Sequence, residues 1–215
     1  MKKAVVYGAG QVGVMVAETL LSQKGLKVVG FVDDAPDQAG LTHMGLPVLG
    51  NGSILQTLHS EGITDAVVCI GDREARARAA ARVEEAALTL MSAIDPSATI
   101  SESARIGRGT VVTAGVVICA HTVLGMDVCV MPGVIVSHDV VIGDHVLLGV
   151  GCVIGARVEI GDYAFVGASA TIVPAHIGVE RLRVGKGAVI GAGAVVLGDI
   201  PDHALAVGVP ARVVR

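Results

Sequence analysis

The sequence has no tryptophan and only two tyrosines and two phenylalanines in 215 residues. Although 52% of the chain is hydrophobic, its core must be built from Val, Ile, Ala and Leu. Basic charge is also scarce. Lys and Arg total 16 against 20 Asp and Glu, a formal net charge of −4, so no basic footprint argues for nucleic acid as a partner. No run of about 18 uncharged apolar residues escapes interruption by glycine, which argues against a membrane-spanning helix. The apolar start, Ala4 to Val6, is too short for the core of a signal peptide and runs straight into a glycine motif. The expected location is therefore cytoplasmic. Cys69, Cys119, Cys129 and Cys152 have no C-x-x-C spacing and read as reduced, small core residues.

Glycine, by contrast, is abundant at 29 residues, about twice its usual share of roughly 7%. Much glycine, many β-branched residues and few aromatics suggest thin repeated layers rather than one globular core.

The chain changes character once. Over residues 1–92, strand-like and helix-like stretches alternate. Lys3 to Tyr7, Leu26 to Val32 and Asp65 to Ile70 are apolar strands. Gly10 to Lys24 has helical spacing, with Val12, Val16, Leu20 and Leu21 on one face. Ser53 is expected to cap a short helix to Glu61, and Asp72 a helix to about Leu88. This order predicts a parallel sheet covered by helices, a Rossmann-like α/β domain.

Over residues 93–215 the period becomes six. Ile94, Ile100, Ile106, Val112, Ile118, Leu124 and Val130 begin a series that runs unbroken to Ile172. Gly178 interrupts it, and Val184, Ile190 and Val196 resume in the same phase. Glycine often follows the apolar residue, as at Gly107, Gly125, Gly143, Gly161 and Gly185. Such a pattern describes a solenoid. Each hexad gives a flat strand and a corner, and stacked coils share one core.

Gly8-Ala9-Gly10-Gln11-Val12-Gly13 follows a strand and opens a helix, and Asp33 and Asp34 end the next strand. The glycines allow phosphate to approach the backbone closely, and an acid at that place binds ribose hydroxyls. Taken alone the pattern suggests NAD. About 90 residues leave little room for a full dinucleotide fold, and a purely structural glycine turn is also open.

Several segments together resemble a known family: Val6-Tyr7-Gly8-Ala9-Gly10, Gly30-Phe31-Val32-Asp33-Asp34, Leu46-Pro47-Val48-Leu49-Gly50, Ile70-Gly71-Asp72, Val136-Ser137-His138-Asp139 through His145, and Val207-Gly208-Val209-Pro210-Ala211-Arg212. They resemble the NeuD/PglD-like sugar O- and N-acetyltransferases of the hexapeptide-repeat acyltransferases. The resemblance implies a left-handed β-helix with three hexads per coil, acetyl-CoA as cosubstrate and no metal. It also implies a homotrimer with sites between adjacent helices. The acceptor implied is a nucleotide-linked sugar, held by Gly8, Gly10, Gln11, Gly13, Asp33, Asp34 and Gly71. The family commonly reads Gly-Ala-Gly-Gly-His at the first turn, where this chain has Gln11 and Val12 after Gly10.

The resemblance makes His138 the general base, with Asp139 or a neighbouring acid orienting it. A neutral imidazole suits proton removal near pH 7, and a carboxylate stabilises its cation. His145 is expected to touch the acetyl-CoA, and the Gly155 N–H to bind the thioester oxygen. The CoA is expected beside Gly155, Gly167, Ala168, Gly191 and Ala192, where small residues leave room. His121 and His176 read as ordinary surface residues. The insertion Gly178 to Arg183 reads either as a solvated corner or as a loop that brings Arg181 or Arg183 to phosphate. Three rivals stand beside the amino-sugar reading: sialic acid O-acetylation, a zinc enzyme of the γ-carbonic anhydrase type, and a non-catalytic nucleotide-binding trimer.

Overall fold

The computed structural model describes residues 1–215, and the chain divides into two units, Met1–Ala93 and Ile94–Arg215. No helix is long and apolar enough to cross a membrane.

In the first unit, β1 (Lys2–Tyr7) leads into α1 (Gln11–Leu21) and β2 (Leu26–Val32). A small hairpin, β3 (Thr42–His43) and β4 (Leu46–Pro47), precedes α2 (Leu55–Ser60). Then come β5 (Asp65–Val68), α3 (Arg73–Glu85) and β6 (Thr89–Leu90). The sheet order is β2-β1-β5-β6, with parallel pairing throughout. Ala4, Val5, Val6 and Tyr7 are all buried, as a central parallel strand covered on both faces requires. Asp72 caps α3 by accepting the Ala75 N–H at 2.7 Å. The expected cap at Ser53 falls instead to Asn51. Its side chain accepts the Ser53 N–H at 3.1 Å, and one 3-10 turn (Gly52–Ile54) precedes α2. From β1 the chain crosses to β2 on one side, and β5 lies on the other. The carboxyl ends of β1 and β5 thus mark a topological switch point, where parallel sheets open a crevice.

The second unit is a parallel β-helix with three faces. One face contains Val111–Val112, Cys129–Val130, Leu147–Leu148, Phe165–Val166 and Val189–Ile190. The second contains Val117–Ile118, Ile135–Val136, Val153–Ile154, Thr171–Ile172 and Val195–Val196. On the third are Val123–Leu124, Val141–Ile142, Val158–Ile160 and Leu182–Val184. Each residue pairs with the one three hexads on, as Val117 with Ile135 and Leu147 with Phe165. The second residue of each two-residue strand points inward. Ile118, Leu124, Ile142, Leu148, Ile154 and Ile172 form a continuous buried column. Each such side chain contributes roughly 1.5–3 kcal/mol by leaving water. A β-branched or small residue closes each corner, which explains the cluster of Val116, Val128, Val134, Val140, Val146 and Cys152 beside the column.

The phase defect is a six-residue insertion. Val141 pairs with Glu159, but Glu159 pairs with Arg183. Because the extra length is one hexad, every later strand keeps its face. The inserted strap, residues 173–181, is tied down by Arg157, whose Nη2 donates to the Ala175 carbonyl at 2.8 Å.

Candidate active site

The corner between the second and third faces holds the candidate residues His138 and Asp139. Three hexads per coil set Ser103, His121, Asp139 and Arg157 in one stack. The ladder confirms it locally: the Ser103 hydroxyl accepts the His121 N–H at 3.0 Å, and the Asp139 N–H reaches the Ala120 carbonyl at 3.0 Å. His138 lies 2.7 Å from Asp139, Nδ1 to Oδ2, with its side chain 57% exposed. In the neutral ring, an Nδ1–H donated to the carboxylate leaves the Nε2 lone pair facing solvent. The hydrogen bond from His138 holds the Asp139 carboxyl below its ordinary value. Desolvation opposes this, and the charges of His138 and His121 add to the lowering. From the strap, Arg181 Nη1 donates to the Asp139 carbonyl at 2.7 Å. Arg181 therefore secures the corner, and the strap, exposed over residues 176–180 as a solvated corner would be, crosses the His138–Asp139 turn.

Of the other expected acetyl-CoA contacts, only Gly155 shares this corner. His145 sits on the next one, between the third and first faces. Its Nδ1 is 2.8 Å from Asp127 Oδ2, and its ring stacks at 4.8 Å on Tyr163. With 12% of its side chain exposed, it belongs largely to that buried ladder. Gly167, Ala168, Gly191 and Ala192 lie on the remaining corner, with both alanines exposed. One coil thus separates these residues onto three edges. The room the glycines leave is also already taken. A Cβ on Gly155 would lie 2.4 Å from Pro174 N, and one on Gly167 would lie 2.5 Å from Ala192 N. These glycines let one coil approach the next. The Gly155 N–H is likewise committed, donating to the Ile172 carbonyl at 2.8 Å, so it does not act as the oxyanion donor. The next N–H, at Ala156, lies one coil above His138 and donates to no backbone carbonyl.

In the first unit, a cleft of about 490 Å³ opens at the switch point, lined by Gly8, Gly10, Asp33, Asp34, Gly71 and the α3 residues Arg78 and Arg82. A Cβ on Gly10 or Gly71 would meet nothing within 4 Å, so both turns face open space. Gly13 differs: a Cβ there would lie 1.8 Å from the Gly8 carbonyl oxygen, so this glycine serves helix–strand packing rather than ligand contact. Gln11 lines a neighbouring cleft of about 460 Å³ with Gly10, Gln38 and His43.

Asp33, the expected ribose contact, lines the switch-point cleft and is also tied to the backbone. Its two oxygens accept the N–H groups of Ala9, at 2.6 Å, and Ala35, at 2.8 Å. It closes the glycine turn onto the end of β2. Asp34 is similarly tied: Oδ1 accepts the Gly52 N–H at 2.8 Å, and Oδ2 meets the Tyr7 hydroxyl at 2.7 Å and Arg82 at 2.9 Å. Partial burial pushes the Asp34 carboxyl up, but these partners outweigh it and hold it below its ordinary value. Burial, then the bond to Asp34, pushes the Tyr7 hydroxyl up to about 12.

Sequence reasoning missed His121, Arg78 and Arg82. The signal for His121 was its separation from Asp139 by one coil. For the two arginines it was their spacing of one helical turn after Gly71.

The family described as the PglD N-terminal domain matches residues 3–83. That described as bacterial transferase hexapeptide (six repeats) matches residues 121–156 and 139–174. PerB from Caulobacter crescentus, solved in complex with CoA and GDP-perosamine, is 33% identical with a TM-score of 0.90, over 99% of this chain and 97% of that one. The acetyltransferase domain of PglB from Neisseria gonorrhoeae FA1090, in complex with acetyl coenzyme A, is 32% identical with a TM-score of 0.88, over 99% of both chains. Serine acetyltransferase of Bacillus pumilus (strain SAFR-032) is 67% identical over 33 residues, spanning 15% of this chain and 15% of that protein. Stacked hexads and these full-length likenesses make the chain a hexapeptide-repeat acyltransferase with a Rossmann-like first unit and a left-handed β-helix. Within that class it belongs to the NeuD/PglD-like sugar acetyltransferases.

Proposed function

We propose that the protein transfers an acetyl group from acetyl-CoA to the amino group of a nucleotide-linked sugar, with His138 as general base. The observation that carries this reading is the His138–Asp139 pair, 2.7 Å apart on an exposed β-helix corner with the second ring nitrogen open. Nε2 of the neutral ring accepts the proton of the amine as its nitrogen attacks the thioester carbonyl carbon. Asp139 holds the ring and stabilises the imidazolium formed. The carbonyl oxygen becomes an oxyanion, for which the Ala156 N–H is the available backbone donor. Collapse breaks the C–S bond, and the proton held by His138 passes to the departing sulfur. The products are the N-acetylated sugar and free CoA.

The nucleotide is proposed to lie in the switch-point cleft. Its phosphates rest on the open turns at Gly10 and Gly71, and Arg78 is close by to balance their charge. Acetyl-CoA is proposed to approach the His138 corner of the β-helix. We propose a homotrimer with it, in which residues on three edges of one chain face a neighbour's. Ile135 (43% exposed) and Val123 (39%) are outward apolar residues on the two faces that flank the corner.

The test is acetyl transfer, followed by CoA release, to a panel of nucleotide-linked amino sugars that includes GDP-perosamine, with free sialic acid as the hydroxyl competitor. His138→Asn should lower kcat by roughly 10²–10⁴-fold with acetyl-CoA binding intact. Near wild-type turnover in that variant overturns the base assignment, and turnover of sialic acid alone overturns the acceptor.

A further inference from the structure

We infer that His121 is a positioning residue for the His138 base, acting through the second oxygen of Asp139. The inference rests on the reading of His138 given above. Its ground is how the two oxygens of one carboxylate are divided. Oδ2 of Asp139 meets His138 Nδ1 at 2.7 Å, while Oδ1 lies 3.5 Å from His121 Nδ1. The two imidazoles belong to different coils and share one acid between them.

A carboxylate held at a single oxygen is free to swing about its Cβ–Cγ bond, and the ring it orients swings with it. A donor on the other oxygen fixes that rotation. His121 is placed to do this by its backbone, which Ser103 anchors from the coil below through the His121 N–H. The ring itself is 70% exposed, and Asp139 is the polar partner it meets.

At the corner between the first and second faces, the left-handed positions are Gly115, Gly133, Gly151, Ser169 and Gly193, mostly the residue type that takes that conformation without steric cost. At the His138 corner the equivalent positions are His121 (φ 57°), Asp139 (57°) and Arg157 (58°). Side-chain-bearing residues in this region carry strain of order 1 kcal/mol each. The corner between the third and first faces does the same with Asp127, His145 and Tyr163, so both edges accept this strain to keep side chains in a column.

Other charges around this column face elsewhere. Arg157, above Asp139, donates to the strap carbonyls of Ala175 and Val179. Arg181 bonds to the Asp139 carbonyl, and Glu102 lies exposed on the coil below. Those that bear on the Asp139 carboxyl are the two imidazoles.

Two substitutions separate positioning from strain. His121→Gly removes the ring and suits the left-handed backbone. His121→Asn also tolerates that backbone and returns an N–H donor near the place of Nδ1. With acetyl-CoA and GDP-perosamine as substrates, His121→Gly should lower kcat about threefold to fivefold, the scale of an exposed charge pair. KM for both substrates should stay within about twofold. His121→Asn should recover most of the loss. In a second measurement that needs no substrate, the Asp139 carboxyl carbon is followed by NMR against pH. His121→Gly should move its titration up toward the ordinary carboxylate range, and His121→Asn by less. Wild-type kcat with an unmoved Asp139 titration in His121→Gly overturns the inference. So does a raised acceptor KM in both variants, which would make His121 a ligand contact. If His138→Asn retains turnover, the base reading fails by itself, and the NMR titration still decides whether His121 and Asp139 are coupled.

Discussion

Replacing Gly13 with alanine sets two effects of opposite sign against each other. Gly13 lies inside α1, where alanine is favoured over glycine by about 1 kcal/mol. Helix propensity alone therefore predicts stabilisation. The geometry predicts the reverse. The added Cβ would lie 1.8 Å from the Gly8 carbonyl oxygen and 2.8 Å from its carbon. Moving that contact out to 3.0 Å, the near edge of real Cβ contacts, requires α1 to shift by about 1.2 Å from the β1 turn. Because the obstructing atoms are backbone, no rotamer change relieves them. Overpacking of this kind costs about 1–3 kcal/mol, and an obstacle with no soft route belongs near 3. Subtracting the propensity gain leaves a net loss of about 2 kcal/mol. In a unit of this size each kcal/mol moves Tm by about 4–8 °C, so the expected fall is about 8–16 °C. Scanning calorimetry of the full chain measures it. An unchanged or raised Tm would mean that propensity wins and that the close helix–strand approach is not the reason for glycine here.

Gly10→Val is the counterpart, since its side chain enters open cleft: Tm should hold within about 2 °C, while the acceptor KM rises about tenfold or more, equivalent to about 1.4 kcal/mol; unchanged acceptor kinetics would remove the nucleotide from this turn. Asp34 is held below its ordinary value in the fold, so its contribution is present above the unfolded carboxylate range and lost as pH falls through the depressed value. Acid unfolding below about pH 4 should therefore be less steep in Asp34→Asn, and a profile identical to wild type would refute it. Tyr7 is an acid whose folded value is raised to about 12, so its share of stability fades as pH climbs from about 10 toward that point. One tyrosine's increment of absorbance at 295 nm should appear only near pH 12, and should vanish in Tyr7→Phe. Light scattering should give about three times 21.7 kDa for the native protein, and a stable monomer at micromolar concentration would sink the shared-site arrangement.

The β-helix was legible because its signal is redundant: one aliphatic residue every six positions, repeated through Ile118, Leu124, Val130 and Val136, has few other physical explanations. The hairpin at Thr42–Pro47 was not, since two-residue strands give no periodicity to read. At the site, His138 and Asp139 are neighbours in sequence and could be paired by inspection. His121 meets Asp139 only through coil stacking, so finding it required counting three hexads rather than one. The acids after β2 hid a structural duty for a general reason. A turn that exposes backbone N–H groups needs acceptors of its own, and Asp33 satisfies Ala9 and Ala35 before any ligand arrives. Gly155 and Gly167 misled similarly, because a missing side chain looks the same in sequence whether a cofactor or the next coil fills the space.

The last strand of the chain, Arg212–Val213, turns back and pairs antiparallel with Leu205–Val207, after a solenoid whose strands otherwise pair in parallel. A stack of identical coils has no intrinsic end. Its terminal rung presents unpaired N–H and C=O groups in the right direction to receive another copy, and that is how open-ended fibres grow. Reversing the final strand covers the rung with one of the wrong polarity for a further parallel coil. The turn holds Pro210, which has no N–H to offer, and Arg212 puts a charge on the new rim. The repeat that makes this fold easy to extend by a hexad is thereby covered along its first face, and truncation before Arg212 should increase end-to-end association, read by light scattering.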